Sequence, residues 1–223
     1  MRNIVGLMGV KGSGKDTCAQ YLIDLLGYKR IGFADALYRE VADTFDVTVE
    51  FIGRRETKES DLPELALQYC KDAAFVQCVA EELQWNDLTP ERLTKPLSPR
   101  FVMQLWGTEY RRRRGQDSYW LDRVTAALDA EPEQDFVITD VRFMNEFNFV
   151  GQHGGKRVRI RRAMLEEAEA RDRALNGRSA HPSETELLGQ TADAEVFNVE
   201  GKPDSLREGI LEAAGETEPQ PAR

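Results

Sequence analysis

The sequence predicts an α/β fold: a parallel sheet with helices on both faces. Three observations carry this. Short apolar, strand-like runs alternate with helical patterns along most of the chain. A glycine-rich loop, Gly9-Val10-Lys11-Gly12-Ser13-Gly14-Lys15, stands between the first strand pattern and the first helix pattern. A second buried run, Phe136-Val137-Ile138-Thr139, stops at an acid, Asp140. In sheets of this kind ligands bind outside the carboxyl ends of the strands. Both the loop and Asp140 are therefore expected on one rim.

The elements follow in order. Residues 3–8 form a strand, 9–14 the loop, and 15–27 a helix with apolar Ala19, Leu22, Ile23, Leu25 and Leu26. Lys29–Phe33 is a short strand. Asp35 caps a helix running to about Phe45, with Leu37, Val41, Ala42 and Phe45 on one face. Residues 46–61 are polar and read as loop. Pro63 opens a long helix to Leu83. Three prolines within 86–99 make a loop, and Ser98-Pro99 opens a helix that ends near Gly107. Asp117–Leu128 is helical, and Phe136–Thr139 is a strand. Phe143–His153 is a helix stopped by Gly154-Gly155. Arg157–Arg161 is a strand, Met164–Leu175 a charged helix and Asn176–Ser183 a loop. Glu195–Val199 is the last strand and Asp204–Ala213 the last helix. The expected organisation is one domain, residues 1–214. Its core is 1–34, 134–162 and 190–214, its substrate-binding lobe about 35–130 and its lid about 163–189, with a flexible tail at 215–223.

Composition narrows the function classes. With 223 residues, 41% of them apolar, the chain can bury a sizeable core. A net charge of −9 argues against a protein that coats nucleic acid. Arginine outnumbers lysine, 22 to 8. That suits phosphate recognition, and a GC-rich genome gives the same bias. Cys18, Cys70 and Cys78 are too few and too irregularly spaced for a disulfide framework or a zinc site. Two histidines, His153 and His181, exclude a histidine-based metal centre. No apolar run reaches 18 residues and the start lacks a leader pattern, so the chain reads as cytoplasmic, reduced and not membrane-bound.

The loop matches G-x-x-x-x-G-K in its strand–loop–helix context. Its glycines let backbone N–H groups converge on phosphate oxygens. The helix that starts near Lys15 aims its positive end at the same anion, and Lys15 adds a mobile full charge. The slot after the lysine usually holds Ser or Thr; here it is Asp16, with the hydroxyl one residue later on Thr17. Asp16 is either a first-turn acid favoured by the helix dipole or a group that holds a magnesium-bound water or orients the attacking phosphate. Asp140 either reaches a Mg²⁺ shell opposite the loop or caps the following helix. Arg54-Arg55, Arg111–Arg114 and Arg161-Arg162 are clusters from which phosphate contacts can come, although most charge runs are solvated faces. Trp106, Tyr119 and Trp120 either stack a base or fill the core.

Several segments together resemble the deoxynucleoside monophosphate kinases of tailed bacteriophages of the T-even type, within the P-loop nucleoside monophosphate kinases. They are G-V-K-G-S-G-K-D-T (9–17), F-A-D-A-L (33–37), M-Q-L-W-G-T-E (103–109), D-S-Y-W (117–120), D-V-R-F-M-N-E (140–146), G-G-K-R-V-R-I-R-R (154–162) and H-P-S-E (181–184). Asp16 is that family's own residue at its slot. The resemblance implies a three-layer P-loop sandwich with an inserted helical substrate-binding lobe and a lid. It implies transfer of the γ-phosphoryl of ATP, with Mg²⁺, to a dNMP, which supplies phage DNA precursors in the infected host cytoplasm. Lys11, Gly12, Ser13, Gly14, Lys15, Asp16 and Thr17 would hold ATP, and Asp16, Thr17 and Asp140 the metal. Lys15, Asp16, Asp140, Arg142 and Arg162 would be catalytic. Lys11, Asp16, Asp35, Trp106, Asp117, Tyr119, Arg142, Glu146, His181 and Glu184 would contact the acceptor, and the arginine-rich loops outside the matching segments add Arg54 and Arg111 as candidates. Where the family follows the Arg162 position with Pro-Gly, this chain has Ala163. Two other readings remain: a phage kinase acting on a hydroxymethylated pyrimidine within DNA, and a non-catalytic P-loop nucleotide-binding protein. The accepted base, and whether the chain forms a homodimer, are left open.

Overall fold

The computed structural model describes residues 2–176 and 185–216. The chain separates into two compact units, Met1–Phe33 with Val124–Arg223, and Ala34–Arg123.

The first unit is built on a five-stranded sheet. Its strands are β1 (Ile4–Met8), β2 (Lys29–Ile31), β3 (Phe136–Ile138), β4 (Lys156–Arg161) and β5 (Ala194–Phe197), in the order β2-β3-β1-β4-β5. Every pairing is parallel. Central β1, Ile-Val-Gly-Leu-Met, is buried along its whole length, as a strand covered on both faces must be. One face is covered by α1 (Lys15–Leu26) and α10 (Pro203–Ala214): Leu22, Leu206, Ile210 and Leu211 pack with Val5, Leu7, Val158 and Ile160. The other face receives α8 (Met144–Gln152). There Gly6 lacks a side chain because its Cβ would stand 2.7 Å from Val150 Cγ2. Arg157 clamps β4 to the start of β5. Its Nε and one terminal nitrogen reach Asp193 at 2.7 and 2.6 Å, and its backbone N–H reaches the same carboxylate at 2.8 Å.

The second unit is helical: α2 (Ala34–Phe45), α3 (Val49–Gly53), α4 (Ala73–Glu82), α5 (Pro90–Leu93) and α6 (Pro99–Gln104), with the start of α7 (Tyr119–Ala130). Helix α9 (Ala163–Asn176) belongs to the first unit. Several sequence expectations need correction here, each for a capping reason. Asp35 lies inside the first turn of α2 and does not precede it. The loop expected at 46–61 contains α3, because Thr48 Oγ1 accepts from Phe51 N at 3.1 Å. The single helix expected from Pro63 to Leu83 is two 3₁₀ turns, Pro63–Leu65 and Leu67–Tyr69, followed by α4. Asp72 starts α4 afresh by accepting from Ala74 N and Phe75 N at 2.9 and 3.0 Å. The loop expected at 86–99 holds α5, capped by Thr89.

The largest departure follows α6. The chain does not stop near Gly107 but continues as a π-helix, Leu105–Arg113. Bonds spanning five residues close it: Arg114 N donates to Glu109 O at 3.3 Å and Gln116 N to Arg111 O at 3.0 Å. Gly107 serves close packing instead of ending a helix. Leu37 Cδ2 would sit 3.1 Å from its Cβ, and its carbonyl accepts from Trp120 Nε1 at 3.0 Å.

Candidate active site

The glycine loop leaves the carboxyl end of β1. Gly9, Gly12 and Gly14 have φ of 140°, 79° and 109°. Gly9 is fixed in that state by its surroundings, since a Cβ there would lie 2.3 Å from the Ile160 carbonyl oxygen. The loop closes on itself through Ser13 N to Val10 O at 3.2 Å and hands over to α1 through Cys18 N to Gly14 O at 2.9 Å. The N-cap residue of α1 is Gly14, which brings no side-chain cap, as suits a helix end that receives an anion. Lys15 Nζ folds back over the loop, donating to Gly9 O at 2.7 Å and Val10 O at 2.9 Å. Ser13 is fully buried, and its Oγ has no hydrogen-bond partner among the described residues. Lys11, Gly12, Asp16 and Thr17 are exposed, with Asp16 in the first turn of α1. Behind them Cys18 is buried, which pushes its thiol up to about 12, partly offset by the Lys15 charge.

Asp140 stands beside this loop. Parallel pairing aligns Gly6 with Ile138, and Val141 N donates to Leu7 O at 3.2 Å. Asp140 Oδ1 accepts from Phe33 N at 2.9 Å. Arg142 is exposed. Glu146 is 2% exposed, and its Oε2 accepts from Arg142 N at 2.7 Å and Phe143 N at 3.1 Å. Its carboxylate therefore satisfies the start of α8. Arg162 follows β4, with a terminal nitrogen 3.9 Å from Glu200. One residue that the sequence reading passed over belongs here: Asn198, just past β5, donates from Nδ2 to Ser13 O at 2.8 Å. It obeys the rule that singled out Asp140, a polar residue just beyond a strand's carboxyl end.

In the second unit, Asp35 is half-buried, Arg54 is exposed with its guanidinium 5.8 Å from the Phe51 ring, and Asp117 is exposed, 4.0 Å from Arg112. Trp106, Arg111 and Tyr119 come together on Glu40, which the sequence reading did not name. A charged residue on a helix gives no signal of its own. Glu40 accepts from Trp106 Nε1 at 3.0 Å, Arg111 Nε at 2.8 Å and Tyr119 Oη at 2.6 Å. Burial, and after it the bond to Glu40, raise the Tyr119 phenol above its usual range. Trp106 is 1% exposed, its ring packed by Phe75 at 4.6 Å and the Arg111 guanidinium at 5.1 Å. His181 and Glu184 lie outside the described residues.

A glycine loop and a bare helix N-terminus at the carboxyl edge of a parallel sheet ordered 2-3-1-4-5 define a P-loop nucleotide-binding protein. No family model matches the chain. Two named relatives do. The chain is 27% identical to the deoxynucleoside-5'-monophosphate kinase of Escherichia phage T5, over 89% of this chain and 90% of the relative. It is 31% identical to a protein of Acanthamoeba polyphaga mimivirus provisionally named deoxynucleotide monophosphate kinase, over 82% of this chain and 81% of the relative. The chain belongs to the deoxynucleoside monophosphate kinase family. Among solved structures it is similar to TT1252 from Thermus thermophilus, at 21% identity and a TM-score of 0.46, over 95% of each chain. It is also similar to dephospho-CoA kinase from Campylobacter jejuni, at 17% identity and a TM-score of 0.44, over 96% of each chain. Among the described residues no helix is long and apolar enough to cross a membrane.

Proposed function

We propose that this chain transfers the γ-phosphoryl of ATP to a deoxynucleoside monophosphate, giving a deoxynucleoside diphosphate and ADP. The observation that carries this reading is the phosphate loop itself, in a chain of this family. It has three positive-φ glycines, an uncapped α1 N-terminus and Lys15 bonded across the loop mouth. A triphosphate fits these residues: the loop and helix end offer backbone N–H donors, and Lys15 can exchange two carbonyl partners for phosphate oxygens. Lys11, Gly12, Ser13, Gly14, Lys15, Asp16 and Thr17 form the ATP-binding stretch. Mg²⁺ fits a donor set of hard oxygens, Asp16, Thr17 and Asp140. Among the described residues no group of three His, Cys, Asp or Glu is gathered as a protein-only cage. That suits an ion held mainly by the nucleotide's phosphates, with one or two carboxylates. The bound ion would neutralise phosphate charge.

The chain's own groups supply position and charge. Lys15 and Arg162 stabilise negative charge on the transferred phosphoryl group, and Arg142 adds charge from the Asp140 side. Asp140 keeps one oxygen on Phe33 N, which orients its carboxylate. The acceptor is already an anionic phosphate oxygen near neutral pH, so no strong general base is needed. Asp35, Arg54, Arg111 and Asp117 are proposed for the acceptor, with packed Trp106 and Glu40-bound Tyr119 supporting Arg111. Glu146 acts by holding the start of α8. The test is a panel of dNMPs, modified pyrimidines included, with ATP and Mg²⁺, following ADP and dNDP formation. ADP formation with free dNMPs supports the reading. Label transfer only to hydroxymethylated DNA, or ATP binding without turnover of any dNMP, overturns it.

A further inference from the structure

Arg111 is held in an unusual way. Glu40 grips only its Nε, at 2.8 Å. The guanidinium carbon lies 5.1 Å from the Trp106 ring centre, 4.7 Å from Tyr110 and 5.1 Å from Tyr119. Tyr110 is itself fixed by donating to Asp72 Oδ2 at 2.8 Å. Both terminal nitrogens of Arg111 make no hydrogen bond among the described residues, and the side chain is 27% exposed. An arginine that only closes an ion pair commonly presents two nitrogens to its carboxylate. Here one side of the group is spent on Glu40, and the two-nitrogen edge is left over.

The backbone bends to make this arrangement. At roughly 100° per residue, an α-helix would place Arg111 about 140° around the axis from Trp106. The wider π-turn brings residues four and five apart back to one face, so Trp106, Tyr110 and Arg111 share a side. Glu40 then ties that side to Tyr119, using both its oxygens on three donors.

We propose that Glu40 is a positioning residue that holds Arg111 by its Nε, so that the two terminal nitrogens stand as a ready fork for the phosphate of the acceptor nucleotide. This rests on the reading that Arg111 binds the acceptor. A preorganised arginine loses little rotamer freedom on binding, so Glu40 acts on acceptor affinity and leaves the donor side alone.

The experiment is a double-mutant cycle on Glu40→Gln and Arg111→Ala, with KM measured separately for dNMP and ATP. Glu40→Gln keeps the shape but offers one acceptor oxygen in place of two. Its dNMP KM should rise about tenfold, with ATP KM within about twofold. In the Arg111→Ala background the same change should move dNMP KM by less than about twofold, because Glu40 acts through Arg111. Effects that multiply, or an equal rise in both KM values, overturn the proposal. If Arg111→Ala alone leaves dNMP KM unchanged in an active enzyme, the Arg111 assignment fails and takes the Glu40 role with it. If the wild type phosphorylates no dNMP, the functional reading has failed first. Should Glu40→Gln not fold, Tyr119→Phe removes one of the three bonds and keeps the ring. It should raise dNMP KM about twofold to fivefold, again only when Arg111 is present, and an unchanged KM overturns the proposal.

Discussion

Replacing Gly9 with alanine places a methyl group 2.3 Å from the Ile160 carbonyl oxygen and 3.0 Å from Ser13 Oγ. Ile160 is fully buried in β4, which is paired on both sides, so its carbonyl cannot retreat without disturbing a neighbour. The Gly9 φ of 140° adds ~1–3 kcal/mol for a side-chain-bearing residue. Relief of the overlap by losing one or two backbone hydrogen bonds adds ~1 kcal/mol each. The sum is ~2–5 kcal/mol, and at ~2–4 °C per kcal/mol for a chain of this size Tm falls by about 10 °C. Gly12→Ala is the internal control: its φ is 79° and the nearest atom is a side-chain carbon, Leu165 Cδ1, at 3.3 Å. It should cost ~1–2 kcal/mol, about 5 °C by the same conversion. Thermal unfolding of the three proteins, followed by calorimetric titration with ATP, reads both effects. Gly9→Ala should lose stability and ATP binding together. If it melts within about 2 °C of wild type, or falls no further than Gly12→Ala, the reasoning from the Ile160 carbonyl is wrong.

Lys15→Ala should abolish measurable turnover with little change in Tm, since removing one transition-state charge contact costs ~3–4 kcal/mol; retained activity in a steady-state assay would refute its role. Asp140→Asn keeps an oxygen for Phe33 N, so kcat should drop by about 10²-fold with nearly unchanged ATP affinity, and an unchanged kcat would leave Asp140 a structural group. Arg157 holds the Asp193 carboxyl below its usual value of 3.8. The pair's contribution is therefore fully present above about pH 4 and fades as pH falls through the lowered value. Asp193→Asn should cost ~1 kcal/mol at pH 7. The Tm gap to wild type should shrink between about pH 4 and pH 2, and a constant gap contradicts the pairing. Burial pushes the Cys18 thiol to about 12 and the Cys70 thiol to about 11, and raises Cys78 as well. A thiol reagent at about pH 8 should find almost no reactive cysteine in the native protein and three after unfolding; rapid native labelling would contradict this.

The first unit was more legible than the second, for a physical reason. Parallel strands buried on both faces must be nearly all apolar, so Ile4–Met8 and Phe136–Ile138 announced themselves, and the loop between β1 and α1 has few other uses. The helical unit depends on local competition that periodicity does not show. Asp72 and Thr48 start new helices through their own side-chain caps. Gly107 reads as a stop, yet the helix runs through it because Leu37 and Trp120 fill and satisfy the turn. Glu40 was invisible for the same reason. Its importance lies in three donors spread over residues 106–119 that converge only after the π-turn has formed.

The bond from Asn198 to Ser13 spans 185 residues of sequence. The Ile160 carbonyl that confines Gly9 likewise comes from far along the chain. During synthesis at roughly 5–20 residues per second, the glycine loop leaves the ribosome on the order of ten seconds or more before its last support. The glycine loop is thus made well before the residues that fix its final geometry. If the loop binds ATP as proposed, nucleotide binding to chains truncated before Asn198 would be weakened, and its recovery would report the docking of β5.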